Sequence, residues 1–287
     1  RAEILRRTGS RCHERFGAAQ LRRRRSTPLL LEGNPARVRV HFISGWLHDC
    51  LSLKEVEHDS IIPFVDRGEA SASNLLDLQS QEWDAEILEV VWPASPLHEA
   101  LPPVVCNKLG QGATKLAPGF LSARATITPC WVFPFLGDNA ASAMACSSSG
   151  GSQSLTAKKS LRTLVVSLGS SDTLTCFQSQ YQPFEDTHVF LSPAGWDELY
   201  MPLLCFKNGS FAREAVRNRV CGLGDNPSMM WSQFHELVEG ETVPGNEGYL
   251  GFYFPEPEIL PAGLHGKGIR VDASENLVFS SITHSTF

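Results

Sequence analysis

The chain has 287 residues, of which 42% are hydrophobic and 20% charged, and its formal net charge is −6. That balance excludes a globally disordered chain and buries a sizeable core, while the length exceeds a typical single domain and points to two. No apolar run approaches the roughly 20 residues that cross a bilayer as a helix, so a soluble protein without membrane partners is expected.

The charge is unevenly spread. Residues 1–40 hold eleven arginines against three glutamates, which leaves the remainder clearly acidic. A basic arm suits nucleic acid or a targeting segment. This one has no interleaved aromatics to stack on bases, so nucleic-acid binding is not expected. A start at Arg1 without Met reads as an internal start, the sequence being a fragment of something longer. Eight cysteines, at 12, 50, 106, 130, 146, 176, 205 and 221, form no Cys-x-x-Cys pair. They read as free, buried thiols in a reducing compartment, hence a cytoplasmic location.

Residues 37–51, RVRVHFISGWLHDCL, read as a strand running into a short helix. Residues 61–65 then lead through the polar stretch DRGEASASN into LLDL, a strand–loop–strand pattern. Ser80 is the expected cap of a helix with Trp83, Ile87, Val90 and Val91 on one face. Five prolines between 92 and 120 mark a loop-rich connection. Residues 130–145, CWVFPFLGDNAASAMA, read as a buried strand, a Gly-Asp-Asn turn and a helix start, although Pro134 removes a ladder donor from that strand. CSSSGGSQS (146–154) has the composition of a flexible linker.

Beyond it, VVSLGSSDTLTCF (165–177) is a hairpin of two apolar runs around a knot of small hydroxylated residues. A tip of this kind lets backbone N–H groups and hydroxyls approach an anion, and equally serves as an ordinary turn. Downstream, residues 199–206 are apolar and KNGS supplies an Asn-Gly turn. Ser210 and Ser228 are the expected caps of two helices, the second carrying Trp231, Phe234 and Leu237. The segment from 244 to 268, with six glycines and four prolines, reads as irregular. Alternating strands and helices make the class α/β. Scattered histidines and cysteines have no metal-ligand spacing, and no protein metal site is expected. Three small-residue loops carry acids or hydroxyls: 66–74, 137–139 and 169–173. In α/β folds such loops lie at strand ends and converge on one cleft.

The order of motifs adds a resemblance. VSLGSSDTL (166–174) and LYMPLLCFKNGSFAREAVRN (199–218) resemble the FGGY family of sugar kinases, and within it the eukaryotic members that phosphorylate xylulose. TGSRCHERFGAAQ (8–20), DRGEASASNLLDL (66–78), the stretch ending GDNAAS (137–142), WSQF (231–234) and GNEGYLGFYF (245–254) resemble further family blocks in the same order. The resemblance implies two ribonuclease-H-like (actin-like ATPase) domains, here incomplete. Residues 1–148 would be the end of a sugar-binding domain and 149–287 the start of a nucleotide-binding one.

It further implies ATP-dependent phosphorylation of D-xylulose, with ATP and Mg²⁺ required. Arg15, Asp138 and Asn139 would bind the sugar. Ser167 to Thr173, in particular Gly169, Ser170, Ser171 and Thr173, would bind phosphates, and Trp231 would lie near the nucleotide. Glu69 stands where the family has its catalytic aspartate, with Asp66 as the fallback base. The ASAS that follows Glu69 replaces the family's glycines, which leaves a pseudokinase or sugar-binding regulator as the alternative. The family's first phosphate loop and its adenine loop have no counterparts between Arg1 and Phe287, so the segment alone is expected to be inactive.

Overall fold

The computed structural model describes residues 2–10, 17–24, 39–52, 64–93, 97–106, 110–120, 130–148, 163–193, 199–222, 226–260, 262–265, 267–271 and 277–279. Its contacts divide the chain into two compact units. The first comprises residues 1–165 and 175–203; the second comprises 166–174 and 204–287.

The first unit opens with helices α1 (Ala2–Thr8) and α2 (Gly17–Arg24), followed by α3 (Ile43–Leu51). The strand expected ahead of α3 is absent from residues 39–42. Strand β1 (Val65–Asp66) leads directly into helix α4 (Arg67–Ser71), and then come β2 (Leu76–Asp77), β3 (Glu82–Trp83) and helices α5 (Ala85–Val91) and α6 (Leu97–Ala100). Strand β4 (Val104–Val105) pairs parallel with β1, Val65 opposite Val104 and Asp66 opposite Val105. Strands β5 (Thr114–Lys115) and β6 (Trp131–Val132) pair antiparallel and precede helix α7 (Asp138–Ser148).

Two expectations fail here for local reasons. The strand around 131 is only two residues long, because Pro134 cannot continue the ladder, and its Trp131 is exposed. Residues 146–148, expected in the linker, extend helix α7, while 149–154 lie outside the described residues.

Strands β7 (Leu164–Leu168) and β8 (Asp172–Cys176) form the expected hairpin. With β9 (His188–Leu191) and β10 (Tyr200–Phe206) they make a sheet of order β7-β8-β10-β9, and the chain passes between the two units along β7, β8 and β10. The hairpin is less buried than its apolar runs imply. Leu164, Val166 and Leu168, at alternate positions on one face of β7, are all exposed, while Val165 on the other face is buried.

The core of the first unit gathers in three clusters. Leu75, Ile87, Leu88 and Val91 make one; Val65, Leu76, Leu78, Val189 and Leu191 a second; Ala143, Phe177, Leu199 and Met201 a third.

The second unit continues with helices α8 (Gly209–Cys221) and α9 (Pro227–Glu241). Strands β11 (Leu250–Phe254), β12 (Lys267–Val271) and β13 (Leu277–Phe279) then form an antiparallel sheet in that order. This sheet corrects the irregular tail expected from the glycines and prolines. Most of them fall outside the strands, and LGFYF has the aromatic content that strands favour. All seven described cysteines are free, as expected, but none is buried.

Candidate active site

In the first unit the site starts from the end of β1. Asp66 is 1% exposed, and its Oδ1 accepts the Gly68 N–H at 2.8 Å, so its carboxylate caps helix α4. That cap is why DRGEAS turns into a helix where a loop was expected. The helix holds out Glu69, whose Oε2 accepts the Gly137 N–H at 2.8 Å. A Cβ on Gly137 would lie 3.0 Å from that same oxygen, so the close approach depends on glycine there.

The next two residues begin α7. Asp138 Oδ1 accepts its neighbour's backbone N–H at 2.8 Å, and the Asn139 side-chain amide at 3.3 Å. The structure thus brings Glu69 together with the loop that carries Asp138 and Asn139. Asp66 stands behind them as a structural cap. Arg15 lies outside the described residues.

Burial pushes the Glu69 carboxyl above the usual glutamate range. The Gly137 hydrogen bond and the nearby Ser44 hydroxyl oppose that shift, while the negative charges of Asp66 and Asp138 add to it. Ser44 Oγ is itself buried and makes no hydrogen bond within the geometric limits. A carboxylate poised in this way accepts a hydroxyl proton more readily than one in water. The adjacent Asp–Asn pair offers sugar hydroxyls both an acceptor and a donor.

In the second unit the hairpin tip is tied down by helix α8. Ser210 N–H donates to Gly169 O at 3.0 Å and to Ser170 O at 3.3 Å. Arg213 donates to both carboxylate oxygens of Asp172, at 2.7 and 3.0 Å, and to Gly169 O at 2.9 Å. Gly209 packs on Asp172 so closely that a Cβ would come within 2.5 Å of its Oδ1. Ser170 is exposed at the tip, Gly169 and Ser171 are half-buried, and Thr173 is buried in β8.

Trp231 sits on α9 with the Arg217 guanidinium 4.4 Å from its ring centre and Phe234 edge-on at 5.8 Å. Those contacts make it part of the packing of α8 on α9. Sequence reasoning missed Ser44, Gly209 and Arg213. The one signal available was the four-residue spacing of Gly209 and Arg213, which puts both on one face of a helix.

Among the described residues no group of three or more His, Cys, Asp or Glu side chains could hold a metal ion. A Cβ on Gly169 would stand 3.3 Å from Ser171 O, so the tip turns tightly at that glycine.

No family model matches the chain. Among proteins of known identity it is similar to the xylulose kinase of Schizosaccharomyces pombe, 31% identical over 268 residues covering 89% of this chain and 43% of that protein. It is also similar to the xylulose kinase of Mus musculus, 30% identical over 258 residues covering 88% of this chain and 40% of that protein. The chain therefore spans less than half the length of these relatives. The crystal structure of xylulose kinase from Rhodospirillum rubrum superposes with a TM-score of 0.66 at 16% identity, over 94% of this chain and 49% of that one.

The superposition defines the class by its fold, the actin-like ATPase fold of sugar kinases, of which the chain spans about half. Within that class, the chain is a relative of the xylulose kinases.

Proposed function

We propose that this chain serves ATP-dependent phosphorylation of D-xylulose to D-xylulose 5-phosphate. The observation that carries the reading is the meeting of Glu69 with the Gly137–Asn139 loop, which sets a proton-accepting carboxylate beside a pair suited to sugar hydroxyls. Asp138 and Asn139 orient the sugar, together with Arg15 by its family position. Glu69 takes the proton from the attacking hydroxyl, and Asp66 holds the helix that presents it.

The hairpin residues Gly169, Ser170 and Ser171 receive phosphate oxygens of ATP, and Thr173 supports them from within β8. Trp231 lies on the nucleotide side by its family position and is steadied by Arg217. Mg²⁺ would arrive with the nucleotide and balance its charge. The assignment of residues 1–148 to sugar binding and of 149–287 to nucleotide binding is part of this proposal, as is a cytoplasmic site of action.

The test is ADP release that depends on both D-xylulose and ATP, measured on the gene product that carries this chain. Glu69→Gln is expected to lower kcat by about 10²- to 10⁴-fold with little change in the KM for ATP. Unchanged turnover in that variant would remove Glu69 from the chemistry.

A second reading, a sugar-binding regulator without phosphoryl transfer, is favoured by the glutamate at a position where its family has aspartate. The extra methylene displaces the carboxylate by about an ångström, enough to cost on the order of 10²-fold. Glu69→Asp separates the two readings. A rise in turnover from near zero marks a decayed kinase, and little change marks a working glutamate.

A further inference from the structure

The proposed phosphate hairpin contains its own anion. Asp172 sits at the foot of the Gly169–Ser171 tip, where a bare carboxylate would repel the phosphates that the tip is meant to receive. Its charge is met by Arg213, whose planar fork takes both carboxylate oxygens at 2.7 and 3.0 Å and turns one N–H to Gly169 O at 2.9 Å. The side chains are 37% and 26% exposed, so the pair is screened but not fully solvated. Gly209 and Ser210, one turn earlier on α8, complete the attachment by close packing on Asp172 and by the amide bonded to the tip carbonyls. Each of these donors points at a carbonyl or carboxylate oxygen of the hairpin, which draws those negative atoms toward α8.

We infer that Arg213 is a positioning residue of the phosphate site: it cancels the charge of Asp172 and fixes the tip so that this acid-bearing hairpin accepts the phosphoryl groups of a nucleotide. The inference rests on the reading of the hairpin as a phosphate site. Lysine is not an equivalent substitute, because it lacks the fork that spans a carboxylate and a carbonyl together.

The test is calorimetric titration of inorganic pyrophosphate into the 287-residue chain and its variants at one ionic strength, with thermal midpoints recorded alongside. The unsubstituted chain binds. Arg213→Met weakens binding about tenfold or more, since it leaves an unpaired carboxylate beside the ligand. Arg213→Lys falls between the two. Asp172→Asn in the Arg213→Met background recovers most of the lost affinity, because the repelling charge is gone.

A purely structural role for Arg213 predicts affinity that follows the thermal midpoint, with no recovery in the double variant, and that result overturns the inference. Arg213→Met binding as tightly as the unsubstituted chain overturns it too. Failure of the unsubstituted chain to bind pyrophosphate sinks the phosphate-site reading itself, and the inference with it.

Discussion

Glu69 and Glu258 are both withdrawn from water, yet their surroundings push their protonation in opposite directions. Around Glu69 burial dominates and the neighbouring Asp66 and Asp138 reinforce it, which raises the pKa above the ordinary 4.5. A base must be ionised to accept a proton, so kcat/KM should climb with pH through that raised value and level off above it. Glu69→Gln should abolish this acid limb, and a limb that persists in the variant assigns the titration to another group.

At Glu258, which is 6% exposed, burial favours the neutral form. Hydrogen bonds from the Asn208 side chain and from the amides of Lys207, Ile259 and Asn208 outweigh it and hold the carboxyl below its usual range. A depressed folded pKa stabilises the fold above the ordinary glutamate value and loses that contribution as pH falls through the depressed one. Glu258→Gln should therefore lower stability at neutral pH by about 1.5–3 kcal/mol. It should also flatten the acid side of the stability profile, measured by denaturant unfolding between about pH 3 and 7. Equal stability of the two proteins at neutral pH would show that the four donors find other partners.

Helix starts show how far local pattern reaches at the scale of the element. The sequence signals the helices over 85–91, 209–221 and 227–241, but the expected serine caps are displaced in every case. Asp84 caps α5, with Oδ1 accepting from Glu86 and Ile87, so Trp83 falls in β3 and Val90 is exposed. Asn208 precedes α8 and spends its side chain on Glu256 and Glu258, which moves Ser210 into the first turn. Asn226 caps α9, with Pro227 in the first turn, and its Oδ1 takes the amides of Ser228 and Met229.

Several polar residues compete at each start, and the direction from which the chain enters decides between them. That direction is set by tertiary contacts, which a local pattern does not contain. Asn226→Ala should lower stability by about 1 kcal/mol, and Ser228→Ala by less than about 0.5 kcal/mol. The reverse order in thermal or denaturant unfolding would return the cap to Ser228.

Across the whole chain the two units spend their apolar residues differently, and this sets what was legible. In the first unit alternating and helical patterns end in packed clusters, so apolar runs such as LLDL and LYMPLL located the core. The Glu69–Gly137 meeting spans 68 positions and was reachable only through the order of motifs. In the second unit the buried residues are largely polar, among them Thr173, Asn208, Arg217 and Glu258. For Arg213 the sequence offered only its helical spacing from Gly209, and for the Glu258 clamp nothing, because both depend on which loop a helix meets.

Two strands carry apolar side chains that face solvent. Leu164, Val166 and Leu168 are 64%, 54% and 69% exposed along edge strand β7, and Leu250 and Phe252 are 58% and 51% exposed along β11, the edge of its own sheet. Edge strands ordinarily carry outward charges that discourage pairing with another copy, and neither row has one. Uncovered apolar rows on strands that are edges among the described residues favour association in water. The 287-residue chain should therefore self-associate as its concentration rises through the micromolar range, seen as a growing weight-average mass in sedimentation velocity. Placing lysines at Val166 and Phe252 should shift that transition to higher concentration without lowering the thermal midpoint, since both side chains already lie more than half in solvent. A chain that sediments as a monomer at every concentration would show that these edges are too twisted or too short to pair.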